Sequence, residues 1–145
     1  MMSTCTSNYF RNRAALVAAA VDRVEQQDMH LLRHFGTEEP PTTVAALAEQ
    51  LATAVLTLAT DHADLTRARF AFALDQPGVV TAGHERMLGG MEMLLESMGL
   101  PRARLRAEAV ADYSDGLAMH LLTARRGQHP DHATVAANIR RLLEG

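Results

Sequence analysis

The sequence predicts an all-α protein of about six helices. Three observations carry that expectation. Apolar residues recur at spacings of three and four along most of the chain, the period of one helix face. Hydrophobic residues make up 48% of 145, yet aromatics are only 4% and Trp is absent, so Ala, Leu, Val and Met must build the core. Ala and Leu are the strongest helix formers, and β-branched residues are thinly spread. Gly and Pro fall between the periodic stretches as breaks, and nowhere do apolar and polar residues alternate as in a strand. The length is that of one domain able to bury roughly two thirds of its unfolded surface.

Each element has its own signals. The first helix is expected from about Arg13 to Arg33, with Leu16, Ala20, Val24 and Leu31 on a stripe, Asn12 as cap, and Gly36 and Pro40-Pro41 as the stop. A second runs from Thr42 or Thr43 to about Thr60, with Val44, Leu47, Leu51, Val55 and Leu58 apolar and Thr43 as cap. The third covers about Asp61 or Ala63 to Asp75, with Leu65, Phe70, Phe72 and Leu74, and is ended by Pro77-Gly78. The fourth, about Val80 to Met98, carries Met87, Leu88, Met91, Leu94, Leu95 and Met98, and Gly99 and Pro101 close it. The fifth and longest, about Arg102 to Arg125, puts Leu105, Ala109, Tyr113, Leu117 and Leu121 on one face, before Gly127 and Pro130. The last spans about Asp131 to Leu143, with Asp131 as cap and Val135, Ile139, Leu142 and Leu143 apolar. No internal repeat is visible.

Composition excludes several classes. Fourteen basic residues, all Arg, face seventeen acidic ones for a net charge of −3, a poor balance for a chain that must hold nucleic-acid phosphates by itself. A single cysteine, Cys5, rules out a disulfide framework and a Cys-based zinc site. No apolar run reaches the ~18 residues of a membrane span. The N-terminus lacks the charged segment and apolar stretch of a signal peptide, so a cytoplasmic protein with no membrane partner is expected.

Catalytic and metal signatures are missing. His30 and His34 lie one turn apart, but His-Leu-Leu-Arg-His lacks the Glu of the zinc-protease motif and places an Arg between them. His129 and His132 flank Pro130-Asp131 at a helix start and read as a capped turn. No Glu has a His three places later, as a di-iron bundle needs. There is no Gly-x-Ser-x-Gly turn. No catalytic residue, metal or cofactor is therefore expected.

Binding is the remaining reading. Met87, Met91, Met93 and Met98 crowd one helix, together with Gly83, Gly89 and Gly90. Met adapts its shape and suits permissive pockets. The stripes of the second to fifth helices must meet, with Tyr113 midway along the fifth supplying a hydroxyl, and His84, Asp61 and His62 as further polar groups. The expected cavity is lined by Leu51, Val55, Leu58, Phe70, Leu74, Met87, Met91, Leu94 and Tyr113, and takes a small, mostly apolar ligand. The alternative is a helical dimerisation or interaction module whose core is simply filled; an enzyme has no motif to support it. The last two helices are expected to form a homodimer through Met119, Leu122, Val135, Ile139 and Leu142, with small residues Gly116 and Ala118 allowing close approach.

Ser7-Asn8-Tyr9-Phe10-Arg11-Asn12-Arg13-Ala14-Ala15-Leu16 resembles the segment that closes the DNA-binding domain of TetR-family repressors. In that family an aromatic-Phe pair, a two-residue turn, a basic residue and, three places on, a Leu open a long helix. Asp115-Gly116-Leu117-Ala118-Met119-His120-Leu121-Leu122 resembles the start of the dimer-forming part, and helix order and length match over the rest. The resemblance implies a TetR-type C-terminal ligand-binding and dimerisation domain over 13–145. It also implies that 1–12 are a remnant of the helix-turn-helix, with Ser7, Asn8 and Tyr9 at the end of the recognition helix and Arg13 near a phosphate. The function implied is effector sensing in a transcriptional repressor, with operator DNA as a partner only where the rest of the helix-turn-helix is present. About forty residues that precede this point in the family are missing from the sequence. The 145-residue chain is thus expected to bind DNA only weakly and salt-sensitively, through Arg11 and Arg13. A gel-shift titration checks this: a nanomolar operator complex surviving roughly 200 mM salt would contradict it.

Overall fold

The computed structural model describes residues 40–145 and, ahead of them, Arg13, Ala15, Leu16, Val17, Ala19, Ala20, Asp22, Arg23 and Gln26. Those nine positions are all helical, where the sequence places its first helix. The expected Asn12 cap, the Gly36 stop, Cys5, Ser7, Asn8, Tyr9, Arg11, His30 and His34 lie outside the described residues. Five helices with defined bounds follow, and no strand occurs among the described residues. The chain is all-α, with about six helices as the periodicity predicts.

Helix α1 spans Val44–Thr60. Thr43 caps it, its hydroxyl accepting from the Ala46 amide at 3.1 Å. Its buried face includes Leu47, Ala48, Ala52, Val55 and Ala59, so much of the contact surface is Ala. Helix α2, Ala63–Asp75, leaves α1 at 89°. The corner is fixed by Thr66, which is buried and donates its hydroxyl to the Leu58 carbonyl at 2.6 Å. Thr66 is the sole buried residue of α2. The expected apolar members do not form a sealed face: Leu65, Phe70 and Phe72 are half-buried and Leu74 is 80% exposed.

Helix α3, Pro77–Ser97, corrects an expected boundary. Pro77 does not merely end α2. It opens α3 at the first turn, where a missing amide proton costs nothing and φ is already helical. The end of α3 follows the glycine rule. Gly99 takes φ 74°, its amide bonds the Glu96 carbonyl at 2.9 Å, and the Leu100 amide bonds Leu95 at 3.0 Å. Those two bonds are a Schellman motif, and Leu100 packs back on the core. Arg102, φ 55°, is the one non-glycine described residue in the left-handed region and starts the next helix.

Helix α4, Ala103–Leu122, stops one turn before the expected Arg125. Its inward face is also rotated from the expected one. Ala103, Ala107, Val110, Leu117, Ala118 and Leu121 are in the core, whereas Leu105 is 57% exposed and Ala109 half-buried. Small Ala side chains let α4 approach its neighbours closely, a preference invisible to a reading weighted toward large residues. Helix α5, His132–Glu144, is capped by Asp131, whose carboxylate accepts from the Thr134 amide at 2.9 Å.

Helix α5 packs most extensively on α1; α3 packs on α4, and α4 also touches α1 and α5. The core sits where α1, α4 and α5 meet, with Leu88 and Leu95 closing it from α3. Among the described residues one charged side chain lies inside. Arg106, on α4, donates from Nε to the Pro101 carbonyl at 2.7 Å and from Nη1 to the Leu143 carbonyl. It thus joins the α3–α4 turn to the carbonyl end of α5, where a cation also suits the helix dipole. Arg106→Met should cost about 2–3 kcal/mol in urea unfolding, because two acceptors lose a charged donor in a buried setting. Arg106→Lys should recover little, since an ammonium lacks the fork that reaches both carbonyls. A loss under about 0.5 kcal/mol for either variant would show that the guanidinium is not structural.

Candidate functional site

The expected cavity-lining residues divide into three groups. Val55 is in the core. Leu51 on α1, Phe70 on α2, Met91 and Leu94 on α3, and Tyr113 on α4 are half-buried and pack against that core. Leu58 is half-buried. Leu74 and Met87 stand outside this set: Leu74 is on the open side of α2, and Met87 is 44% exposed on α3. For Leu74 the reason is periodicity: the single buried position of α2 is Thr66, so that helix's large residues do not lie on one buried stripe.

Tyr113 also differs from expectation. Its hydroxyl accepts from Asn138 Nδ2 at 3.2 Å, and Asn138 Oδ1 accepts from Arg141 Nη1 at 3.2 Å. The phenol is therefore turned toward α5, and its polar end is already partnered. Among the described residues no buried side-chain nitrogen or oxygen lacks a hydrogen bond. The other polar residues expected at the pocket, Asp61 and His84, are exposed, and His62 is half-buried.

The expected dimer surface is corrected most strongly. Leu122, Val135 and Ile139 are buried within the chain itself, Ile139 completely. Met119 and Leu142 are half-buried, Leu142 against the same core, and Gly116 is exposed. Helix α5 packs most extensively on α1, and Val135 and Ile139 are enclosed by the chain's own core. The outward side of α5 is polar, with Arg140, Arg141 and Glu144 exposed. Arg13, the one described residue of the expected DNA-contacting set, is exposed on helical backbone.

Two polar constellations went unnoticed in the sequence. The first surrounds Arg104, which meets Glu108 and Glu85 at 2.8 Å and Glu92 at 3.8 Å. Hydrogen bonds to Glu108 and then Glu85 raise its pKa above the ordinary arginine value, so it stays charged and ties α3 to α4. The second joins Glu49 and Thr53 of α1 to His132 of α5. Glu49 and Thr53 are four apart, a visible helix-face signal, but their partner is 79 residues from Thr53 and only the fold brings it there. No group of three or more His, Cys, Asp or Glu side chains among the described residues is placed to hold a metal. No single described helix is long and apolar enough to cross a membrane.

Compared with protein-family models, curated proteins and solved structures, the chain matches none of them.

The burial of Ile139 generates a sharp test. Ile139→Asp should abolish the cooperative thermal transition, since it places a lone carboxylate in the innermost layer. Circular dichroism and sedimentation distinguish the outcomes. A variant that keeps its melting curve and merely falls from dimer to monomer would return Ile139 to an interface.

Proposed function

We propose that this chain is an effector-sensing helical domain of TetR-repressor type that binds a small, mostly apolar molecule. The observation that carries the reading is the set Leu51, Phe70, Met91, Leu94 and Tyr113. These apolar side chains come from four helices, rest on one core and remain partly open. Partly open side chains of that kind offer apolar area to a ligand without requiring the core itself to be opened. Met91 can change rotamer to fit different shapes at small cost. Helix α2, with a single fully buried residue, is the element whose displacement would admit a molecule.

Sensing in this reading is a population shift. A ligand that binds one arrangement of α2 and α3 better than another moves the equilibrium by that difference in affinity. The resemblance at Tyr9 to Leu16 supports coupling to a helix-turn-helix, with Ser7, Asn8, Tyr9 and Arg13 on its DNA side. A homodimer belongs to the same proposal. Its contact would have to lie elsewhere than Leu122, Val135 and Ile139.

A second reading is favoured by the partnered Tyr113 hydroxyl and the absence of orphaned buried polar atoms among the described residues. It is a helical interaction module with a filled core. One experiment separates the two. In a thermal-shift screen of hydrophobic metabolites, a ligand at 100 times its dissociation constant stabilises a one-site protein by about 2.7 kcal/mol, a shift of several degrees here. Under the sensing reading at least one compound does this, and Met91→Ala abolishes the shift while costing less than about 2 kcal/mol. No responding compound, together with a Met91→Ala cost of ~2–5 kcal/mol typical of solid core, would overturn it in favour of the interaction module.

A further inference from the structure

The longest unbroken run of exposed positions among the described residues is 123–129, in the connector from α4 to α5. It contains Arg125-Arg126-Gly127. Its hydrogen bonds are local. The Thr123 and Arg125 amides bond the His120 carbonyl, the Arg126 amide bonds Thr123, and the Gln128 amide bonds Arg125. The Thr123 hydroxyl donates to the Met119 carbonyl, and Arg125 Nε donates to Gln128 Oε1 at 2.9 Å. All of these bonds run within 119–128, so opening the connector releases nothing that holds α1, α2, α3 or α5. Exposed segments with only local bonds open at small cost, and they are where proteases cut.

The two arginines differ. The Arg125 guanidinium is held by Gln128, whereas among the described residues Arg126 has no hydrogen-bonded or ionic side-chain partner. Arg126 can therefore enter an acidic specificity pocket without breaking a contact. Gly127 follows it, with φ 83° and no side chain to obstruct the scissile bond. Every other described arginine except Arg102 lies on a helix. Arg102 is pinned: its carbonyl accepts from the Arg106 amide at 3.2 Å, the Pro101 carbonyl from Arg106 Nε at 2.7 Å, and Ala103 after it is buried. We propose that the Arg126–Gly127 bond is a processing site for an arginine-specific serine protease, and that the cut chain stays assembled with α5 in place. The step is a hydrolysis. The Arg126–Gly127 C–N bond breaks, and water supplies the hydroxyl of the new Arg126 carboxyl and a proton of the new Gly127 amine.

What holds α5 lies downstream of the cut. Val135, Ala136, Ile139 and Leu143 are in the core, and the helix packs most extensively on α1. Arg106 Nη1 donates to the Leu143 carbonyl from α4. The Asp131 cap closes on the Thr134 amide within the same piece. None of these contacts uses the connector. Cleavage removes the covalent link and leaves 127–145 as an amphipathic helical peptide seated on α1 and α4. The site stands whether or not the partly open apolar side chains take a ligand.

Limited trypsin digestion of the full chain, with mass spectrometry of the pieces, tests the site. The chain has no Lys, so trypsin reads its arginines alone. Within 40–145 the first cut should fall after Arg126. Arg125→Gln alone should keep that cut. The double variant Arg125→Gln, Arg126→Gln should lose it with an unchanged thermal melt, since both side chains are exposed. Seating of α5 has its own readout. While α5 stays folded on α1, Arg140 and Arg141 remain helical, so 127–145 should persist intact and co-elute with the remainder in gel filtration. A first cut within 40–145 after any other arginine overturns the site, as does an unchanged cutting rate in the double variant. Separate elution of 127–145, or its rapid cleavage after Arg140 or Arg141, overturns the retained assembly.

Discussion

The fold depends on the face that α5 turns to α1. With no Trp, two Tyr and four Phe, the chain cannot fill space with large rings. It closes the space by bringing helices together. Among the described residues seven of the seventeen core positions are Ala, and they occur on α1, α4 and α5. Into these shallow surfaces fit a few branched side chains, with Leu95, Ile139 and Leu143 the largest that are fully enclosed. Interiors packed to crystal-like density tolerate little change at such positions. Enlarging an Ala would separate two helix axes, while shortening Ile139 would leave a hole that close-packed helices cannot readily fill.

Arg106 is the polar counterpart of that contact. A buried guanidinium is unfavourable unless its donors are used, and here two go to carbonyls that have no partner in their own helices or turn. The turn between α3 and α4 and the end of α5 are thereby tied to one side chain. Arg104, two residues away, lies outside the core and spreads its charge over three carboxylates. Its contacts are solvent-screened and contribute more to the register of α3 on α4 than to net stability. Helix α2 is held by Thr66, by Phe70 packed on the core and by Arg69, which lies 3.6 Å from Asp115 of α4. This asymmetry, a firm α1–α4–α5 core beside an α2 with a single buried residue, supports the proposed sensing function. Where few apolar contacts hold an element, local opening is inexpensive.

The resemblance to TetR regulators rests on a short aromatic-basic segment and on helix order. The three-dimensional arrangement agrees with the all-α expectation, and it encloses Val135 and Ile139 of the last helix within the chain's own core. An apolar stripe on a terminal helix signals that something must cover it. It does not say whether the cover comes from the same chain, because the hydrophobic effect is proportional to area and has no direction.

The sequence by itself determined the helices and several of their ends. Thr43 and Asp131 cap because their oxygens reach amides three residues on, and Gly99 stops α3 because it adopts positive φ without strain. These are local interactions, complete within a few residues. Even here one sign was ambiguous: Pro77 both bars the continuation of α2 and suits the first turn of α3, and the downstream helix decided which. Tertiary structure decided which way α2 and α4 face, whereas the stripes of α1 and α5 were legible. Leu105 against Ala107, Leu74 against Thr66, and the turning of Tyr113 toward Asn138 are choices between faces of similar hydrophobicity. They are settled by how closely small side chains let the axes approach. The meeting of His132 with Glu49 and Thr53 is of the same kind. Each residue is an ordinary surface group until α5 lies on α1, since contacts between distant residues are fixed by packing that no local pattern records.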